Sequence, residues 1–538
     1  MRHFSSYGPI DKDLYYYVPR KELIEKGYTQ LMGTNPMKGG HYITVWAPRQ
    51  CGKTWTMVQI YQQLKKDSRF DVVQVSLEIM KDKTSAAETI ESLARLMGNK
   101  LGKSFSGIDT QEKFQELFRK GTLEKPLILI LDEFDALLDD AISAIVSAFR
   151  NIHIDRQYES DKPTEEKSYL LHAVALIGIR SVLGIENVKG SPFNVQRSIH
   201  IPNLTYEEVD GMFKWYEKES GQKIEQDVID RLFYETNGQP GLISWFGELL
   251  TETYNEEKNK PITLKHFEDT FIMALSALPN NNILNIISKA KIEPYKQKVL
   301  ELFETDEKTR FSYDDVILNF LYLNGVIDRE KGGTDLHVKF ASPFVQKRLF
   351  NYFSVDLFSS MGQLHEPFEN LDNAITDTDL NIKNLAKLYE TYLKKNSSWL
   401  LEDVPRRKDL RVYEAVFHFN LYSYLDKFLR SWGARVVPEF PTGNGKIDLI
   451  ITHAGKTYGV ELKTYSTERN YKEALTQAAK YGKQLELAEI SLVFFVEYAD
   501  EKSREKYEKE YRDKETKVTV KPIFIETGHS ARAVHIKE

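Results

Sequence analysis

The stretch from residue 41 to 65 constrains this chain most. HYITVWA (41–47) is an apolar run of strand length, APRQCGKT (47–54) follows it as a turn, and a helix is expected from about Lys53 to Lys65. A run with no polar alternation must be buried on both faces. DVVQVSLE (71–78), PLILILDEF (126–134) and HAVALIGI (172–179) also read as strands, with helix-length stretches between them. Strands alternating with helices predict an α/β fold, a parallel sheet covered on both sides.

APRQCGKT fits the pattern G-x-x-x-x-G-K-[ST], except that Ala47 stands where the first glycine is expected. In that pattern the backbone N–H groups of Ala47, Pro48 (which lacks one), Arg49, Gln50, Cys51 and Gly52 wrap phosphate at a helix N-terminus. Lys53 reaches the β- and γ-phosphates of ATP, and Thr54 is a ligand for Mg²⁺. A Gly-Lys-Thr turn also arises by chance. ILILDEFD (128–135) weakens that reading, because an apolar strand ends there in two carboxylates. Asp132 would hold Mg²⁺ through water and Glu133 would orient the attacking water. Asp132 alone could be an acidic helix cap.

Arg180, after the fourth strand, is a candidate for sensing the γ-phosphate, although an ordinary structural arginine is the simpler account. Arg49, Arg156 and Arg197 compete for the same role. NGQPG (237–241) interrupts a helical region at a bend that would set a helix over the nucleotide. Cys51 sits where a helix N-terminus lowers a thiol pKa, but small size explains its presence more simply.

A chain of 538 residues exceeds one hydrophobic core, so several domains are expected. Its single cysteine excludes an intramolecular disulfide framework and a cysteine-based zinc site. No run of eighteen apolar residues and no signal-peptide pattern is present, so a cytoplasmic protein without a membrane partner is expected. A net charge of −6 argues against a uniformly basic surface and leaves local basic patches open.

The second informative stretch is GNGKIDLIITHAGKTYGVELKTY (443–465). Asp448 lies on one expected strand and Glu461-Leu462-Lys463 on the next, joined at Ala454-Gly455. Folding the hairpin brings Asp448 near Glu461, and strand alternation puts Glu461 and Lys463 on one face with Leu462 toward the core. Two carboxylates and a lysine form a hard-oxygen site for Mg²⁺, or Mn²⁺ in its place. A metal-bound water would be the nucleophile, with Lys463 positioning it or stabilising the phosphate. Glu414, on an amphipathic helix at 411–430, is a further carboxylate. Gln477 and Tyr481 are one helical turn apart and share a side. Each residue alone reads as a solvated surface charge; the set in this order is what points to cleavage of a phosphodiester.

Taken together, APRQCGKT, LILDEFDAL (129–137), KGSPFNVQRSIHIPNLTYEEV (189–209) and NGQPGLISWFGELL (237–250) resemble the AAA-like ATPases of the archaeal and STAND-related group. The resemblance covers about 15–360. It implies a P-loop core at 1–204, a helical lid at 205–280 and a winged-helix-like domain at 281–365, acting as a nucleotide-dependent switch that often oligomerises. After a connector at 366–407, residues 408–538 form a second α/β domain, in which the pattern over 408–500 resembles the PD-(D/E)xK nuclease superfamily. That resemblance makes Asp448 and Glu461 metal ligands, Lys463 the catalytic lysine, Glu414 an auxiliary carboxylate, and Gln477 and Tyr481 supports. The proline that names the motif is replaced by Ile447. The implied activity is nucleotide-regulated, metal-dependent hydrolysis of DNA rather than RNA. The alternative is an ATP-dependent assembly or signalling switch that binds nucleic acid or a partner without cutting. A DNA translocase ranks below both, since no tandem motor core is visible.

Overall fold

Strands β1 (Tyr42–Trp46), β3 (Leu127–Asp132) and β4 (Leu171–Gly178) are buried along their whole length in the computed structural model of the chain. The structure describes residues 1–6, 11–178, 197–304, 309–361, 373–407, 412–439, 448–464 and 468–528. With β2 (Asp71–Ser76) and β5 (Arg197–His200) these strands form one sheet in the order β2-β3-β4-β1-β5, every neighbouring pair parallel. Alternation along each strand feeds two separate cores. Val73, Leu129, Leu131 and Val174 face one side, and Ile43, Val45, Ile130 and Ala175 the other. Each side is covered by helices, the arrangement that continuous apolar strands require. The expected strands agree with the observed ones to within a residue or two; β5 was not anticipated, because RSIH carries no apolar run.

The chain divides into two units, residues 1–271 with 322–325, and 272–321 with 326–538. The first holds this sheet and the helices after it, including Tyr206–Ser220, Gln226–Thr236 and Pro240–Glu248.

The second unit includes helices Asn281–Ala290 and Tyr295–Glu304, the first six residues of a helix at Val316–Leu323, and an antiparallel hairpin of β6 (Ile327–Gly332) and β7 (Asp335–Phe340). The turn after Gly332 was legible, whereas β6, with IDREKG, was masked by its charges. A helix at Pro343–Leu357, capped by Ser342, follows. It packs on the helix Glu414–Arg430: the rings of Phe350 and Phe419 lie 4.8 Å apart, and the Ser423 hydroxyl donates to the Ser354 carbonyl at 3.1 Å.

A six-stranded mixed sheet completes this unit: β8 (Arg435–Glu439), β9 (Asp448–His453), β10 (Lys456–Thr464), β11 (Glu489–Val496), β12 (Tyr511–Arg512) and β13 (Thr519–Glu526), in the order β12-β13-β11-β10-β9-β8. The β9–β10 turn places Ala454 and Gly455 at φ 49° and 78°, the two left-handed positions of a tight hairpin turn. The helix Glu468–Gln484 covers one face, packing Ala474, Ala478 and Tyr481 on Ile490, Leu492 and Phe494. Among the described residues no helix is long and apolar enough to cross a membrane.

Candidate nucleotide and metal sites

The loop at 47–54 leaves the carboxyl end of β1 and enters the helix Lys53–Leu64. Gly52 caps that helix at φ 84°, and no side chain accepts from its first turn, so the N-terminal N–H groups are left for an anion. Ala47 is fully buried and is not among the residues with positive φ. A glycine is therefore not required there, which explains the departure from the motif. Gln50, at φ 56°, carries the left-handed bend instead.

The Lys53 ammonium curls back into the loop and donates to the carbonyls of Ala47 and Pro48, each at 2.7 Å. Burial pushes its pKa down, while nearby Cys51, Asp135 and Asp132 oppose this. One strand, β4, separates β1 from β3, so Asp132 comes to the same sheet edge. Burial pushes the Asp132 carboxyl up, and hydrogen bonds from the Thr54 hydroxyl and the Glu133 N–H pull it down. Thr54 and Asp132 thus form a pair of hard oxygens beside the lysine, a donor set that suits Mg²⁺ with a nucleotide. Glu133 is exposed, held at φ 58°, with its carboxylate accepting from the Ser76 hydroxyl at 2.9 Å. A non-glycine residue in that region is strained, and such strain concentrates at functional positions. Ser76, the last residue of β2, carried no signal in the sequence.

The 237–241 turn does lie over this loop. The Gly241 N–H donates to the Gln50 carbonyl at 3.0 Å, and the Gln239 amide donates to the Arg49 carbonyl at 3.0 Å. Gln239 also caps the helix Pro240–Glu248 by accepting from Leu242 N–H. Gly238, at φ 67°, is required, because a side chain there would meet the Leu204 carbonyl at 2.1 Å.

Of the arginine candidates, Arg156 is buried and donates to the Tyr169 carbonyl and to the Thr164 hydroxyl. It is a strut of the core, away from solvent. Arg197 starts β5, paired with Ile43, whereas the loop follows Trp46 at the other end of β1. It donates to Gln30 at 3.0 Å. Arg49 is exposed on the loop itself, and Arg180 lies outside the described residues. Cys51 is buried, with its sulfur packed near the Arg49 carbonyl and Asn203, which fits a packing role and not a sensor.

In the second unit, β9 and β10 pair so that Asp448 stands directly opposite Glu461. Directly opposite residues share a face. The side chains of Asp448 and Glu414 lie outside the described residues, so both are placed by backbone alone, Glu414 as the first residue of its helix. Glu461 is 2% exposed and Lys463 8% exposed, with the Lys463 ammonium 3.6 Å from the Glu461 carboxylate. Charges on a surface hairpin would be solvated; these are not. Leu462 is buried on the opposite face, as expected. Glu461 and Lys463 pair in register with Leu492 and Phe494 of β11, which belong to the core under the helix Glu468–Gln484. That helix carries Gln477, exposed, and Tyr481, buried. Among the described residues no three metal-ligating side chains gather at one point.

Two residues of this region gave no signal in the sequence. Glu439 ends β8 directly opposite Asp448, and its carboxylate pairs with the Lys347 ammonium at 2.8 Å. His418 is fully enclosed on the helix Glu414–Arg430, and burial, with the nearby Lys463 charge, pushes its pKa down to about 3.

Comparison with known proteins finds a match within the first unit. Residues 5–258 match the model of the AAA-like domain. Three solved structures illustrate the range of similarity. The ORC1 protein of Aeropyrum pernix in complex with DNA is 12% identical, covering 64% of this chain and 94% of that one, with a TM-score of 0.35. Cdc6p of Pyrobaculum aerophilum is 16% identical, covering 63% and 96%, TM-score 0.35. A Walker-type ATPase of Pyrococcus abyssi is 13% identical, covering 64% and 99%, TM-score 0.37. No curated protein sequence matches the chain.

Proposed function

We propose, from the premise that residues 5–258 are an AAA-like P-loop ATPase-type domain, that this domain controls a metal-dependent nuclease at 408–538 acting on DNA. In this reading 1–204 is the ATPase core, 205–280 its lid, 281–365 a winged-helix-like DNA-docking module and 366–407 a connector. Three helices followed by a hairpin support the third assignment, since modules of this class dock on duplex DNA. Lys53, Thr54 and Asp132 hold MgATP, and Glu133 orients the water that attacks the γ-phosphate. Assembly of the ATPase units into a homo-oligomer would complete each site.

One observation supports the nuclease reading: Glu461, buried beside Lys463, stands directly opposite Asp448. Burying a carboxylate is costly unless a charge compensates it, and the Lys463 ammonium stands beside Glu461. The all-oxygen donor set fits Mg²⁺ or Mn²⁺. Asp448 and Glu461 would hold the ion, which lowers the pKa of water toward neutrality. Lys463 holds its ammonium where charge develops on the phosphate oxygens, and Glu414, Gln477 and Tyr481 orient the site and the strand to be cut.

Purified protein with Mg²⁺ or Mn²⁺ should cut duplex, single-stranded or branched DNA, and Lys463→Ala should reduce cleavage by two orders of magnitude or more. Binding of DNA with no cleavage in any nucleotide state would instead make the chain an ATP-dependent assembly switch.

A further inference from the structure

The cleavage site has a neighbour that its motif does not include. Glu439 on β8, Asp448 on β9 and Glu461 on β10 occupy directly opposite positions on three adjacent strands. They form one cross-strand row on one face of the sheet. At one end of the row Lys463 lies beside Glu461. At the other end, Lys347 places its ammonium 2.8 Å from the Glu439 carboxylate. Lys347 is completely buried and comes from the helix Pro343–Leu357, outside the sheet. Lysine is almost never fully buried unless its charge is matched, so both charges of this pair are held in place.

We propose that Glu439 is an additional positioning carboxylate of the metal site, and that Lys347 is the internal cation that fixes it in the row. This rests on the reading of Asp448 and Glu461 as metal ligands. Carboxylates in the second layer around a metal orient its ligands and bound water, and their loss costs 10–100-fold in affinity or activity. Glu439 is placed to do this through Asp448, its cross-strand neighbour. Lys347 holds the Glu439 carboxylate in place and ties it to the helix that packs on Glu414–Arg430. The position of that helix thereby bears on the geometry of the cleavage site.

Glu439→Gln alone leaves a buried lysine without its partner and endangers the fold. The informative variant is therefore Lys347→Met with Glu439→Gln, which removes both charges together. Mn²⁺ binding to the full chain, read by electron paramagnetic resonance of the free ion, is measured beside the melting curve and the Mn²⁺ dependence of cleavage. The double variant should melt like wild type, bind Mn²⁺ about tenfold more weakly and need a correspondingly higher Mn²⁺ concentration for half-maximal cleavage. Asp448→Asn should lose Mn²⁺ binding altogether. If the double variant binds Mn²⁺ as wild type does while Asp448→Asn does not, the pair is a structural strut and the proposal fails alone. If wild type binds no Mn²⁺, or Asp448→Asn binds it unchanged, the metal-site reading falls and takes this proposal with it.

Discussion

Replacing Gly241 by alanine would put a methyl carbon 2.6 Å from both Cβ and Oε1 of Gln50. The amide oxygen is the end of a flexible chain and can swing away. Cβ cannot move without the backbone, and that backbone is the left-handed residue of the phosphate loop. The same glycine donates its N–H to the Gln50 carbonyl at 3.0 Å. Losing that bond costs about 1 kcal/mol, and relieving an overpacked contact costs about 1–3 kcal/mol. If the loop yields, at least about 2 kcal/mol is withdrawn from the conformation that receives phosphate, equivalent to about thirtyfold in nucleotide affinity. Isothermal titration of a non-hydrolysable ATP analogue into wild type, Gly241→Ala and Gly211→Ala measures this. Gly211 lies inside the helix Tyr206–Ser220 with open space around its Cβ position, so its alanine should bind as wild type does. Binding by Gly241→Ala within threefold of wild type, with an unchanged melting curve, would refute the idea that the 237–241 turn braces the phosphate loop.

Lys53→Ala should abolish ATP turnover, because in the proposed ATPase reading the ammonium that donates to the Ala47 and Pro48 carbonyls would reach the phosphates; unchanged turnover in steady-state phosphate release would sink the assignment. Glu133→Gln should keep ATP binding and slow turnover by about 10²–10⁴-fold, the range for a general base, checked by titration beside a phosphate-release assay. The first unit should also be acid-sensitive through His172. Arg156 donates to the Thr164 hydroxyl, which is within 3.1 Å of His172 Nδ1, while Nε2 lies 3.1 Å from the Met32 carbonyl. The neutral ring, protonated at Nε2, satisfies all of these bonds. Burial accordingly pushes His172 down to about 3, below the usual value near 6.5. The unfolded chain then binds a proton that the fold does not, so the stabilisation is complete above about pH 6.5 and declines by about 1.4 kcal/mol per pH unit toward pH 3. His172→Gln should flatten this slope in urea titrations from pH 7 to 4; an identical slope would show that other groups set it.

Local pattern was enough for the first sheet. Runs such as LILIL and HAVALIG admit little besides strands buried on two faces, and the phosphate loop sits between such a strand and a helix because its own residues demand it. The Ala454-Gly455 hairpin was equally legible, since its turn chemistry pins the register that sets Asp448 against Glu461. Charge obscured what was missed. β6 and the pairing role of Lys347 are written in residues that read as solvated surface, and nothing adjacent in sequence marks them otherwise; β8, RVVPE, is short and holds a proline, which argues against a strand. Whether a lysine is exposed or buried against a carboxylate 92 residues away is decided by long-range packing. Likewise, NGQPG by itself implied a bend, and only the folded chain seats Gly241 on Gln50. Ala47 shows the same division from the other side: the motif asks for glycine, but the backbone angle that would require it arises at Gln50 instead. Sequence determined the elements and the chemistry they carry. Tertiary structure decided which charges are removed from water, and hence which of them take part in a site.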